Sequence, residues 1–431
     1  MIFSAGAGLG VQFNDNILSS SSNRESDLIV DPNIYVTGAW KVSSINTLSL
    51  RLGVAYDYYI FHSTLGAGLS YQVMPGTEIS FKARIGDVSL RFYERPSLQQ
   101  SPQDDPTAPS GFLYDQFTNS IGISALWNLR DVTVQATFDH TNSIPFTSGT
   151  GQNLGAGQNS AVDNADLQNL RRTVDSLSSI TTFQFRQDLA AGFTGAISSI
   201  HYTSGVDDGV SINGGVFCDK QLSNYTTLRI SVGYQKLSFS SGGSSSQSSA
   251  SSRNGASSQS SLLSENGLLG QGAFSQGGFA SSGGFPGQSN NGDSAGYYGS
   301  IILRNRLNRY FYNSLSIGRE ADVSLMSNSV VTTYIRDDAT LKFVRGVNIT
   351  AFADYEYSQL SDVVASDLTT LHFGFRMSHA FNEKLNLSLA YEFISRVGSG
   401  AGETAGTMNN QVGGSSNFFQ NRILLNLAYA F

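Results

Sequence analysis

The feature that most constrains this chain is a strict two-residue alternation of apolar and polar side chains, repeated along its length. From Leu48 the apolar set is Leu48, Leu50, Leu52, Val54, Tyr56, Tyr58 and Ile60, interleaved with Ser49, Arg51, Gly53, Ala55 and Asp57. An α-helix cannot put every second residue on one face, whereas a strand does so by construction. The same pattern runs through Ile79 to Ile85, Val132 to Phe138, Leu228 to Tyr234 and Leu385 to Phe393. These runs match the roughly 9–11 residues that a tilted strand needs to cross a bilayer.

Composition decides which face is which. Only 14% of residues are charged, while glycine (45), Phe (27) and Tyr (19) are plentiful and proline (8) is scarce. That mixture suits strands joined by flexible turns and suits helices poorly. No stretch approaches the roughly 18 consecutive apolar residues of a spanning helix. The mean hydropathy of −0.14 is what a spanning barrel gives, because lipid-facing and water-facing residues cancel. The second face of the first strand reads Ser4, Gly6, Gly8, Gly10, Gln12, too small and polar to be the surface of a soluble sheet. The balance favours an apolar outside and a polar inside.

The connections carry a second signal. Short turns are expected at Val42–Asn46, Met74–Thr77, Asn128–Asp131, Gln187–Asp188, Lys220–Thr226, Asn308–Arg309, Val344–Gly346 and Asn382–Lys384. Between them fall mostly long, polar connections: Asn16–Ser26, Glu94–Asp115, Thr141–Arg172, Ser240–Gly296 and Arg396–Phe418, with short exceptions near His62 and Gly205. Short–long alternation is the wiring of outer-membrane barrels, with short periplasmic turns and long extracellular loops. The expectation is one all-β unit over residues 1–431: a transmembrane antiparallel up-and-down β-barrel of about 18 strands, both termini periplasmic. The longest loop, residues 241–291, is a Ser/Gly-rich low-complexity tract. Its spaced hydrophobes, Leu262, Leu263, Leu268, Leu269, Phe274, Phe279 and Phe285, need cover in the lumen, at the rim or on an envelope partner or second copy.

The start, Met1-Ile2-Phe3-Ser4, shows no basic or apolar leader region, so the numbering reads as that of a mature or re-engineered chain. The net charge of −7 gives no support to nucleic-acid binding. The single cysteine, Cys218, falls on the apolar phase and reads as a small hydrophobe.

On the lumen-facing phase lie Arg51, Lys82, Arg84, Arg186, Arg229, Arg304, Arg306, Arg336, Lys342, Arg376 and Arg422, against fewer acids: Asp57, Glu78, Asp139, Asp354, Glu356 and Glu392. A basic excess in a wet pore raises the local anion concentration, unless these residues pair with the acids as a static network. Aromatic belts are expected at both boundaries. Trp40, Tyr71, Trp127, Phe343 and Phe381 are assigned to the short turns, and Tyr58, Phe61, Tyr357 and Phe393 to the long loops. No metal, cofactor or enzymatic site is expected. Asp139-His140 and Asp207-Asp208 have the residue types of a water-activating acid–His site, but polar pairs at strand ends are common. His372 and His379 are an odd number apart and belong to opposite faces.

The last apolar positions, Ile423, Leu425, Leu427, Tyr429 and the terminal Phe431, resemble the C-terminal strand of bacterial outer-membrane proteins. That resemblance implies recognition by the outer-membrane assembly machinery. Phe13-Asn14-Asp15-Asn16-Ile17-Leu18, then Asp27-Leu28-Ile29-Val30-Asp31-Pro32 and the strand from Leu48 resemble the β-barrel porin family of Gram-negative bacteria. The resemblance covers about the first 60 residues and implies a porin-like protein without naming a solute. The expected function is passive diffusion of small hydrophilic solutes with a mild anion preference, in contact with outer-membrane lipid and lipopolysaccharide. The alternatives are a dedicated polysaccharide or substrate-specific export or uptake channel, and a structural or interaction barrel plugged by residues 241–291.

Overall fold

A computed structural model describes residues 2–19, 24–62, 71–100, 115–146, 171–203, 208–239, 294–322, 329–343, 346–361, 366–399 and 417–431. Strands account for nearly all of them. They are β1 (Ile2–Asn14), β2 (Asp27–Lys41), β3 (Thr47–Tyr56), β4 (Tyr58–Tyr59), β5 (Tyr71–Val73), β6 (Glu78–Ile85) and β7 (Val88–Gln100). There follow β8 (Asp115–Asn128), β9 (Val132–Phe146), β10 (Arg172–Arg186), β11 (Leu189–Tyr202), β12 (Gly209–Ser223), β13 (Thr226–Phe239) and β14 (Ser294–Asn305). The last are β15 (Phe311–Asp322), β16 (Ser329–Lys342), β17 (Val347–Ser361), β18 (Ser366–Ala380), β19 (Leu385–Ser399) and β20 (Phe418–Ala430). Consecutive strands pair antiparallel, except that β4 pairs with β2 and that β5 and β6 each pair with β3 and β7; β1 pairs with β20 from Gly6↔Ala430 to Asn14↔Arg422, closing the ring. Because β3 with β4 and β5 with β6 each make one interrupted strand, the sheet is a closed barrel of eighteen strands.

Alternation sets the two faces. Along β20 the odd residues Ile423, Leu425, Leu427 and Tyr429 are exposed on the outside, while Phe418, Gln420 and Arg422 are buried on the inside. Register carries the apolar face across strands, as in Leu9↔Leu427↔Leu387 and Val11↔Leu425↔Leu389. The inner face is stitched by hydroxyls and amides: Thr332 to Ser358 at 2.9 Å, Ser231 to Ser300 at 3.0 Å, and Gln116 to Ser143 at 2.6 Å. Such rows of large exposed hydrophobes, Phe193, Ile197, Ile212 and Val216 among them, suit a hydrocarbon surround.

Turn chemistry is local. Ser43, Asn308 and Asn382 each accept hydrogen bonds from backbone N–H groups two and three residues on, the geometry that makes these residues turn formers. One expected turn is corrected: Met74–Thr77 does not reverse the chain. Thr77 Oγ1 accepts from the Gly53 N–H at 3.1 Å and donates to the Gly53 carbonyl at 3.3 Å. Its hydroxyl thus replaces a ladder pair, and the segment is an irregularity between β5 and β6, with Gly76 at φ 86°. The reversal comes at Gly86-Asp87, a two-residue hairpin with Gly86 at φ 59°. Strands also reach further than the loop composition suggests, to Gln100, Phe146 and Ser399.

The wall is tight enough for backbone to forbid side chains. A Cβ on Gly192 would lie 2.0 Å from the Thr181 carbonyl oxygen and 2.6 Å from the Phe217 ring, whereas one on Gly195 meets nothing nearer than 3.8 Å. Gly192→Ala is therefore expected to destabilise by about 1–3 kcal/mol, and Gly195→Ala to be nearly silent. Denaturant unfolding in detergent micelles separates the two, and equal midpoints would contradict the packing.

Candidate functional site: the polar inner face

The inner face is graded from end to end. Toward the loop ends of the strands its side chains are buried: Asn14, Tyr59, Ser120, Arg172, Tyr202, Leu237, Val330, Tyr334, Leu368, Arg396 and Gln420. Toward the turn ends they are exposed: Lys41, Lys82, Arg84, Asn128, Gln184, Gln221, Thr227 and Asn426. The interior is thus open on the turn side and filled on the loop side. A cavity of 420 Å³ opens against the turn-side wall, lined by Gln135, Thr182, Asp188, Asp219, Arg229 and Arg304 among others.

Most charged residues near mid-height meet an opposite charge on a neighbouring strand. Arg336 on β16 faces Glu320 on β15 at 3.7 Å, Asp354 on β17 at 3.0 Å and Glu356 on β17 at 2.5 Å, with its guanidinium 4.1 Å from the Tyr334 ring centre. Arg229 on β13 grips Asp219 on β12 with two N–H groups. Glu78 on β6 accepts from Arg91 and, at 2.7 Å, from Arg95, both on β7. Tyr93, under Arg95 at 4.2 Å, donates to Asp139 on β9. Arg422 lies 3.9 Å from Glu392 and donates to Gln420. Asp57 accepts from Gln72. Outside the spanning segments, the Lys220 ammonium holds the exposed Asp188 carboxyl below its ordinary range through a hydrogen bond.

Of the positions expected on the lumen-facing phase, Arg229, Arg304, Arg336, Asp139, Asp354, Glu356, Glu392 and Arg422 are partly or wholly buried on the inner face. Arg51, Lys82, Arg84 and Arg376 are exposed there. One expectation, that Arg84 lies well inside its strand, is corrected. Arg84 is not deep in its strand but beside the Gly86 turn, its Nε donating to the Gly86 carbonyl at 3.1 Å. Arg306 lies in the connection after β14. Sequence reading missed Arg91, Arg95, Asp219 and Glu320; the turn expected at Met74–Thr77 hid the phase of the first two, whereas Asp219 could have been found from its neighbour Cys218 on the apolar phase.

On the outer face, Trp40, Trp127, Phe343 and Phe381 are exposed near the turns and Tyr58 near the loops, and Phe61 is exposed in the connection after β4. Tyr357 and Phe393 are half-buried in the loop halves of β17 and β19. Tyr71 is corrected: it opens β5 at the loop end, its ring 5.2 Å from Tyr56, because the turn moved from Met74–Thr77 to Gly86-Asp87. The Asp139-His140 pair is split across the wall. Asp139 binds Tyr93 inside, and His140 Nδ1 meets Asp175 outside at 2.7 Å. Asp208 meets His201 at 2.7 Å, and Asp207 lies outside the described residues. His372 packs on Phe352 within, while His379 meets Phe381 edge to face. Cys218 is exposed on the outer face. Residues 241–291 lie outside the described residues. Among the described residues no helix is long and apolar enough to cross a membrane, which does not bear on strands, and no group of three or more metal-ligating side chains gathers.

No protein-family model and no curated protein matches the chain. Solved structures similar to it include Pseudomonas aeruginosa OpdK with vanillate, at 10% identity and a TM-score of 0.48, covering 100% of this chain and 99% of that one. Another is Acinetobacter baumannii OccAB2, at 10% identity and a TM-score of 0.49, covering 100% and 98%. A third is Pseudomonas aeruginosa OccK2 (OpdF) in complex with glucuronate, at 10% identity and a TM-score of 0.48, covering 100% and 98%. Likeness at this level specifies neither a family nor a solute.

Proposed function

We propose that this chain is an outer-membrane channel for passive diffusion of small hydrophilic solutes, its turns and both termini periplasmic and its loops external. One observation carries the reading: a closed ring of eighteen strands with an apolar outer face and a polar, charged inner face. About sixteen to eighteen strands enclose water, whereas about eight would fill with side chains. Outer-membrane lipid and lipopolysaccharide surround such a wall, and the aromatic positions at both ends serve as belts in the headgroup layers. Ile423, Leu425, Leu427, Tyr429 and Phe431 are the assembly signal of this reading. Domain-wise it is a single barrel, with residues 241–291 as an external loop and the candidate contact for a second copy or envelope partner. The chemistry required is that of a filter, with no enzymatic step.

Selectivity follows from which charges stay in water. Arg229 and Arg422 each sit against a carboxylate, so their fields are largely cancelled at a distance, and Arg336, set among three acids, adds no net positive field. Lys82, Arg84 and Arg376 are exposed toward the turn side, and there they would enrich anions over a screening length of about 10 Å at 0.1 M salt. A mild anion preference is expected, measured as a reversal potential across a planar bilayer under a salt gradient. Arg84→Gln with Arg376→Gln should move that potential toward zero. Cation preference in the wild type would refute the selectivity. Liposomes carrying the protein should swell in small neutral sugars and stay shut to large ones. If they do not swell until Ser241–Asn291 is deleted, the scaffold reading, in which that loop plugs the barrel, replaces the open channel.

A further inference from the structure

The recess in the turn-side wall comes from short side chains set between long ones. There β11 turns only Ala190 and Gly192 inward, against Gln184 and Thr182 on β10 and Asp219 on β12. Ala190 is buried at the floor, and Gly192 lies under the Phe217 ring, which leaves no room for a Cβ. What remains is the cavity of 420 Å³. That is toward the lower end of the roughly 300–1,000 Å³ usual for small-molecule sites.

Two guanidiniums line it, and they are held differently. Arg229 is fixed: Asp219 accepts from two of its N–H groups, and its guanidinium lies 4.9 Å from the Phe217 ring centre. Arg304, on β14 opposite Thr227, is half-buried, and among the described residues no carboxylate comes within ion-pair distance of it. The fields of Arg229 and Asp219 both reach it, and they oppose each other. The cavity is lined by three cations, Lys220, Arg229 and Arg304, against two carboxylates, Asp188 and Asp219, a surplus of one positive charge. Arg304 has thus lost part of its water without gaining a counter-charge from the wall. An anion entering from solution gains more there than beside a fully hydrated cation. The planar fork of arginine matches two oxygens of a carboxylate or a phosphate group. The Gln135 amide and the Thr182 and Thr227 hydroxyls line the same space.

We propose that this recess is a binding station for a small, singly charged oxyanion, presenting a carboxylate or a phosphate group to the open guanidinium of Arg304. The clamped Arg229 is its fixed second charge. The station differs from the general anion preference of the exposed cations: it saturates, it depends on one residue, and it selects by the shape of the anion. It rests on the channel reading only for how the solute arrives, and binding is measured without a membrane.

Equilibrium dialysis of the full chain in detergent at low salt reads the station, with radiolabelled propionate and, separately, inorganic phosphate. Saturable binding is expected, and the probe bound more tightly names the group. Chloride should compete poorly, because it cannot span both prongs of the fork. Arg304→Gln should weaken binding about tenfold, the loss of one charge-assisted double contact. Arg304→Lys, which keeps the charge without the fork, should fall between the two. Ala190→Leu fills the floor without touching a charge and should weaken binding as well, whereas Lys41→Gln, on the inner face of β2, should leave it unchanged. Circular dichroism checks that each variant keeps the strand spectrum of the wild type. No saturable binding in the wild type, or equal binding in wild type, Arg304→Gln and Ala190→Leu, would overturn the station. A wild type that binds as expected but passes no current in planar bilayers would keep the station and count against the channel reading instead.

Discussion

Leu425→Arg is expected to cost about 2–4 kcal/mol of stability in a bilayer, while Asn426→Arg, one residue on, changes it by less than about 0.5 kcal/mol. Both side chains are exposed near the middle of β20, and they differ in what they face. Leu425 sits between Val11 and Leu389 in a wholly apolar outer row, so a guanidinium there must be taken into hydrocarbon. Asn426 faces Gly10 and Ser388 in the polar interior, where an arginine keeps its water. Equilibrium unfolding by guanidinium in lipid vesicles gives both numbers. Equal costs, or the reverse order, would show that the faces have been assigned the wrong way round.

The second large effect is expected at Arg336. Removing its charge as Arg336→Met leaves Glu320, Asp354 and Glu356 crowded on the two strands that flank β16. Breaking a fully buried ion pair costs about 3–5 kcal/mol. Because 30% of the Arg336 side chain is exposed, water screens part of this, and about 1–3 kcal/mol is the expected loss. The direction with pH discriminates the cause. Acidification should recover stability in Arg336→Met relative to wild type, since protonated carboxyls no longer repel. Adding Asp354→Asn and Glu356→Gln should restore most of the loss at neutral pH. A loss insensitive to both would make Arg336 a packing residue, resting on Tyr334, rather than an electrostatic hub.

The faces of the wall were legible because a period of two admits one solution, and the run from Leu385 to Phe393 or from Ile423 to Phe431 states it without ambiguity. The turns were legible where Asn or Ser reverses the chain, and failed at Met74–Thr77. There a Pro-Gly pair between alternating runs reads as a hairpin, and nothing local reveals that the Thr77 hydroxyl substitutes for a ladder bond across to Gly53. That one misplacement sent Tyr71 to the wrong belt, buried Arg84 too deep, and hid the phase of Arg91 and Arg95. Charge pairing was only half legible. Inner-face charges can be listed from alternation where the phase of a strand is plain, but whether Arg336 meets three acids depends on the register of β15 with β16 and of β16 with β17. Register is fixed by the whole sheet, not by either strand. Asn16, just past the end of β1, is placed in the same way, its carbonyl accepting from Gln420 some four hundred residues away.

The account stands on a wall with lipid on one side and water on the other. A cysteine scan of β20 from Ile423 to Ala428, in the Cys218→Ser background and in liposomes, tests it directly with a water-soluble and a membrane-partitioning maleimide. The expected result is a two-residue period: positions 424, 426 and 428 react with the soluble reagent, and 423, 425 and 427 with the partitioning one alone. Soluble labelling at every position, or the period inverted, would contradict the barrel's assignment of inside and outside.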